Sequence, residues 1–158
     1  MRIGWSELRI TLLGGVLIGL IAATWSGPLI PSGSAGAAPD AVASARQFGF
    51  CHSGGGTNCV VDGDTFWMDG EKIRVADIDA PETHPSRCAE EARLGNAATA
   101  RLQALLNAGP VTLEAADRDT DRYGRKLRIV TRGGRSLGGM LVDEGLARRW
   151  VGHREPWC

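Results

Sequence analysis

Apolar and polar positions first fall into short alternating runs from Val60 onward. Val60-Val61 opens a strand, Asp62-Gly63 bends it, and Thr65 to Met68 continues it. Asp69-Gly70 is a two-residue hairpin signal. Glu71 to Ile78 returns, with Ile73, Val75 and Asp77 on one side and Arg74, Ala76 and Ile78 on the other. Asp79 stands at the strand end, and Pro81 stops regular pairing. The period then becomes helical over Ala89 to Asn107, where Ala92, Leu94, Ala97, Ala98, Leu102, Leu105 and Leu106 give a broad apolar face. Gly109 and Pro110 terminate it. Val111 to Ala115 reads as a strand, Asp117 to Gly124 as a polar loop, and Lys126 to Thr131 as a strand with Leu127 and Ile129 alternating against Lys126 and Arg128. Gly133-Gly134 turns the chain. Ser136 to Glu144 is a short helix capped by Ser136 and stopped by Gly145. Leu146 to Val151 is a last strand. The pattern is mainly β with helices. Short antiparallel strands interrupted by a helix predict a small barrel of the oligonucleotide-binding type. A fold of this kind does not by itself specify a function.

The segment before these elements differs in composition. Ile10 to Trp25 holds 16 residues without a charge, preceded by Arg2 and Arg9. A basic stretch followed by an apolar one is a targeting pattern. Residues 1–30 therefore read as a signal peptide or a membrane anchor. Residues 31–45, rich in Ala, Gly, Ser and Pro, read as a linker. The folded domain is expected at 46–158. Either fate of the leader places the domain outside the cytoplasm, periplasmic or secreted, and tethers it to the inner membrane where the segment is retained. Nothing in the pattern indicates more than a monomer.

Net charge is zero, which gives no support to a role in coating polyanions. The charge is uneven all the same. Arg46 to Val111 carries 6 basic and 9 acidic residues, and Thr112 to Cys158 carries 10 and 7. Four cysteines in a small exported domain favour disulfides. Three pairings are possible. Cys51 and Cys59 bracket a glycine-rich loop that closes readily. Cys88 with Cys158 would then tie the last residue to the body and contribute about 3–4 kcal/mol by constraining the unfolded chain. The rival is a zinc site using His52, although no two cysteines show the usual close spacing.

The chemistry concentrates between Val61 and Glu82, where Asp64, Asp79 and Glu82 accompany Arg74. A second arginine, Arg125, follows in Asp121-Arg122-Tyr123-Gly124-Arg125. An antiparallel return could bring Asp64 and Asp79 together at one barrel end. Two carboxylates with a backbone carbonyl and waters suit Ca²⁺, a hard cation taking oxygen ligands. Arginines beside them suit a phosphate, which guanidinium forks grip with paired charge-assisted bonds.

Asp-Gly-Asp-Thr at 62–65, Arg74, Asp-x-Pro-Glu at 79–82, Asp-Arg-Tyr-Gly-Arg at 121–125 and Glu-Gly-Leu-Ala at 144–147 occur in the order and spacing of a known family. From Cys59 to Val151 the chain resembles the staphylococcal nuclease-like (thermonuclease) family. The resemblance implies a five-stranded oligonucleotide-binding barrel and Ca²⁺-dependent hydrolysis of DNA and RNA phosphodiesters. By position it assigns Asp64 and Asp79 as metal carboxylates and Ala80 as a carbonyl ligand, where the family often has Thr. It assigns Glu82 to the attacking water, and Arg74 and Arg125 to the scissile phosphate. Arg122 and Tyr123 match positions that contact a substrate phosphate. Asp62 would stand behind the ligands. The chain departs from the pattern in three places. Trp150-Val151-Gly152-His153 replaces a tyrosine pair that flanks the base, the loop from His84 to Cys88 is short, and the long C-terminal helix is absent. Two other classes remain open: a non-catalytic nucleic-acid-binding barrel, and a disulfide-stapled envelope protein binding a non-nucleic ligand. A binder has no reason to keep all five charged residues, and the envelope protein predicts no effect of Ca²⁺ on stability.

Overall fold

A computed structural model describes residues 46–52 and 55–158. The leader or anchor expected at 1–30 and the linker at 31–45 lie outside the described residues. Among those described, no helix is long and apolar enough to cross a membrane.

Among the described residues, nine strands and two helices follow one another. β1 (Gly49–Phe50) runs parallel to β2 (Cys59–Asp62), which pairs antiparallel with β3 (Thr65–Met68). The β2 strand is irregular between Val60 and Asp62, where Asp62-Gly63 bends the chain as expected. β3 and β4 (Glu71–Val75) form the hairpin, with Asp69 and Gly70 at φ 52° and 81°. Both values are left-handed, as a two-residue turn of this twist requires, and Asp-Gly adopts them readily. β5 (Ile78–Asp79) pairs with β9 (Arg148–Arg149) in a small separate sheet. α1 (Ala89–Asn107) is followed by β6 (Thr112–Thr120), β7 (Lys126–Arg132), β8 (Arg135–Ser136) and α2 (Leu137–Asp143). The longer strands run in the order β2-β3-β4-β7-β6, with β4 and β7 parallel. A mostly β domain with two helices and this strand order fits an oligonucleotide-binding fold, here as an open path. Phe66, Ile73, Val75, Ile78, Leu102, Leu106, Leu137 and Leu141 fill the centre.

Four expectations change. β4 stops at Val75 and does not reach Ile78. The Arg74 guanidinium donates from Nη1 to the carbonyls of Val75 at 2.7 Å and Ile78 at 3.1 Å, so the chain turns around it. The stretch 117–120 belongs to β6, on the sheet edge, where strand residues can be polar on both faces. Asp119 there accepts from Arg128 at 2.7 Å and Lys126 at 3.4 Å across the hairpin. The last strand contracts to Arg148–Arg149. On α1 the buried stripe is Glu91, Gly95, Ala98, Thr99, Leu102, Leu105 and Leu106, while Ala92, Leu94 and Ala97 are only half-buried. α2 is as read: Gly139 N–H donates to Ser136 Oγ at 2.9 Å, and Gly145 at φ 72° ends the helix. Cys51 bonds to Cys59 and Cys88 to Cys158, so the zinc alternative loses its thiolates.

Candidate active site

The bend at Asp62-Gly63 and the turn after Val75 deliver two aspartates to one place. Asp64 enters β3 directly after the bend, and its carbonyl accepts from Val75 N–H at 2.8 Å. Asp79 ends β5. Both are 3% exposed. The next residue, Ala80, is also buried and donates its N–H to Asp64 Oδ2 at 3.4 Å. Gly63 makes this junction possible, because a Cβ there would stand 2.6 Å from Ala98 Cβ and 2.8 Å from Ala80 Cβ.

Arg74 joins the pair. Its Nη2 lies 3.2 Å from Asp64 Oδ2 and 3.9 Å from Asp79 Oδ1. Arg125 reaches the same cluster from the 121–125 loop. Its Nη1 donates to Thr65 Oγ1 at 3.2 Å, and Thr65 Oγ1 donates to Asp64 Oδ1 at 2.8 Å. Asp121 shapes that loop. It accepts the Tyr123 N–H at 2.9 Å, the Arg125 N–H at 3.0 Å and Arg125 Nε at 2.7 Å. Burial raises the Asp121 carboxyl, but these bonds outweigh it and hold it below the usual carboxylate range. Tyr123 projects from the loop, 68% exposed, with the Arg122 and Arg125 guanidinium carbons 4.8 and 5.5 Å from its ring centroid.

Glu82 completes the set by accepting from Arg154 Nη1. Its main chain lies against the start of α1. α1 touches the segment at Gly95, where a Cβ would lie 2.8 Å from the Pro81 carbonyl oxygen and 3.0 Å from that of Glu82. Glu91 is fully buried at the start of α1 and accepts from the side chain and amide of Arg87, with a further contribution from the Glu82 amide. Those bonds hold its carboxyl down at about 2.

The acids crowd one another. Burial pushes Asp79 up, against the pull of Arg154 and with the push of Asp64. Burial, then the charge of Asp64, carries Asp62 to about 7, and Glu82 adds to this. Asp79 Oδ1 is buried and accepts no hydrogen bond. This unbonded inward oxygen, in a crowd of acids and 2.9 Å from Arg154 Nε, faces positive charge, a place that fits a hard divalent cation. The set is limited, since among the described residues no three His, Cys, Asp or Glu side chains could hold a metal by themselves. Two carboxylates with carbonyl and water oxygens remain the donor set.

Above the cluster lies a groove of about 920 Å³. Lys72, Arg74, Arg118, Arg122, Arg125 and Arg154 line it, against Glu82, Asp117 and Asp121. Six cations against three carboxylates suit an anionic ligand, although the chain as a whole is neutral. Trp150 also lines the groove, with the Arg74 guanidinium carbon 5.3 Å from its ring centroid.

The structure thus gathers Asp64, Asp79, Ala80, Arg74, Glu82 and Arg125 at one end of the sheet, with Arg122 and Tyr123 on the rim. Sequence reasoning missed Thr65, Glu91, Arg154 and Trp157. Glu91 had a signal, because it shares the 91, 95, 98, 102 spacing of the buried stripe. Thr65 lay inside the quoted motif. Arg154 and Trp157 had no local signal.

A family model described as "Staphylococcal nuclease homologue" matches residues 72–156. Endonuclease YncB of Bacillus subtilis (strain 168) is 38% identical over 94 residues, which cover 56% of this chain and 44% of that protein. The SPbeta prophage-derived endonuclease YokF of the same strain is 38% identical over 94 residues, covering 56% and 31%. Succinoglycan biosynthesis protein ExoI of Rhizobium meliloti (strain 1021) is 35% identical over 98 residues, covering 58% and 50%. The matched part thus spans half or less of each of these relatives.

Proposed function

Because the chain belongs to the staphylococcal nuclease homologue family, we propose that it is an exported, Ca²⁺-dependent nuclease hydrolysing phosphodiester bonds of DNA or RNA. The convergence of Asp64, Asp79, Arg74 and Arg125 beneath a basic groove carries this reading. Two relatives named as endonucleases agree with it. Disulfides and the leader pattern support export.

Asp64 and Asp79 would hold the cation through side-chain oxygens, and Ala80 through its carbonyl. Bound there, it would draw charge from the phosphoryl oxygens and help orient the reactants. The chain supplies the rest. Arg74 approaches the cluster from β4 and Arg125 from the 121–125 loop, and they grip the phosphate between them. Fixed positive charge facing the developing dianion lowers the barrier more than it tightens ground-state binding. Glu82 accepts a proton from the attacking water once Arg154 leaves it free. The close approach of α1 at Gly95 keeps its backbone in place. Arg122 and Tyr123 hold the strand on the groove rim.

The test is hydrolysis of a single-stranded oligonucleotide by the full chain in Ca²⁺. Glu82→Gln and Arg125→Ala should each lower kcat by on the order of 10²–10³, with circular dichroism unchanged. Wild-type rates in either variant would overturn the assigned roles.

A further inference from the structure

Trp150 to Cys158 follow β9 without forming a helix or further strand, yet two of their side chains, Arg154 and Trp157, reach the site carboxylates. The end of this tail is fixed twice. Cys158 closes onto Cys88, and the Arg148 guanidinium carbon lies 3.9 Å from the Trp157 ring centroid. From there Trp157 Nε1–H donates to Asp79 Oδ2 at 3.2 Å. The other oxygen of Asp79, Oδ1, is buried and unbonded. Arg154 Nε stands 2.9 Å from it out of hydrogen-bonding alignment, while Nη1 of the same guanidinium donates to Glu82. One carboxylate oxygen is secured and the other is turned toward positive charge. Partners behind a metal ligand impose this arrangement, and they tune the affinity of the site.

We propose that the C-terminal tail is a working part of the cation site: Trp157 orients Asp79 for a divalent cation, and the Arg154 guanidinium fills the cation's place until one arrives. This rests on the metal-dependent reading above. Without a cation, Asp64, Asp79 and Glu82 need a counter-charge beyond Arg74, and the tethered tail supplies it. A divalent ion at Asp64 and Asp79 replaces that charge and repels the guanidinium, which swings into the groove. Trp157 and Arg154 are positioning residues on one tail, yet their removal should act with opposite signs.

Calorimetric titration of the metal-free full chain with Ca²⁺ tests this. Trp157→Phe keeps the ring and loses the N–H, and it should bind Ca²⁺ about tenfold more weakly. Arg154→Gln removes the competing charge and should bind about fivefold more tightly. A tail that merely packs would lower both affinities or change neither. Equal or weaker binding by Arg154→Gln therefore overturns the proposal. If Trp157→Phe does not fold, Arg154→Gln decides alone, since its side chain is partly exposed. Asp64→Asn separates the two readings. If it loses Ca²⁺ while both tail variants match wild type, the tail's role falls and the metal-dependent reading stands. If wild type binds no Ca²⁺, both fall.

Discussion

Asp62 sets a pH dependence that the metal-free protein should show. Its carboxyl is raised from 3.8 to about 7 by burial and by the charge of Asp64. A raised acid contributes stability while it is protonated and loses it as pH climbs toward the folded value. Metal-free wild type should therefore lose stability between about pH 4 and pH 7 from this group. Asp62→Asn should stabilise the chain in chelator by on the order of 2 kcal/mol more at pH 8 than at pH 5. Urea denaturation at the two pH values checks this, and an equal difference at both would refute it. Much of the residue scale was legible. The spacing of Asp64, Arg74, Asp79 and Glu82 marks the cluster in the sequence itself. The depth of Arg74 was not legible, because alternation placed it on one strand face without showing that the chain turns around it. Arg74 thus donates to two carbonyls and forms ion pairs with two buried carboxylates. Arg74→Ala should cost stability as well as rate, since it strands buried charge, which makes Arg125→Ala the cleaner probe.

At the scale of elements, α1 sets the position of Glu82. Its stripe carries Gly95 where the helix meets the Pro81 and Glu82 carbonyls. Gly95→Ala should push the helix off that segment, cost about 1–3 kcal/mol and lower the hydrolysis rate. Gly139→Ala in α2 meets only Ser136 atoms, 3.5 Å away or more, so helix propensity should make it neutral or stabilising. Thermal melts and rates on both variants check the pair, and equal behaviour would contradict the close approach at Gly95. The helix itself was plain from its period, but its face was misread. Ala92, Leu94 and Ala97 counted as apolar, whereas the structure buries Glu91 and Gly95 in the same stripe. Hydrophobicity cannot announce a buried glutamate that is satisfied by Arg87. The hairpin was legible through Asp69-Gly70. The length of β6 was not, because an edge strand need not alternate.

At the scale of the molecule, the two disulfides close a domain whose tail returns to the end that holds Asp79 and Glu82. The Cys88–Cys158 bridge spans 70 residues. Replacing both cysteines by serine should cost about 3–4 kcal/mol by freeing the unfolded chain, read as a lower denaturation midpoint under non-reducing conditions. No loss would show that the bridge constrains little. The family and the barrel-like strand order were legible because several motifs agreed in order. The return of Arg154 and Trp157 to Asp79 was not, since contacts across 75 and 78 residues leave no periodic trace. Neutral net charge likewise concealed the basic groove, which folding assembles from β4, β6, the 121–125 loop and the C-terminal tail.

The most direct measurement follows hydrolysis of single-stranded DNA by the full chain while free Ca²⁺ is varied. Wild type should be silent in chelator and active when Ca²⁺ is restored. Asp64→Asn should need about tenfold more Ca²⁺ or greater. Cleavage that continues undiminished in chelator, or an unchanged Ca²⁺ requirement in Asp64→Asn, would contradict a cation held between Asp64 and Asp79.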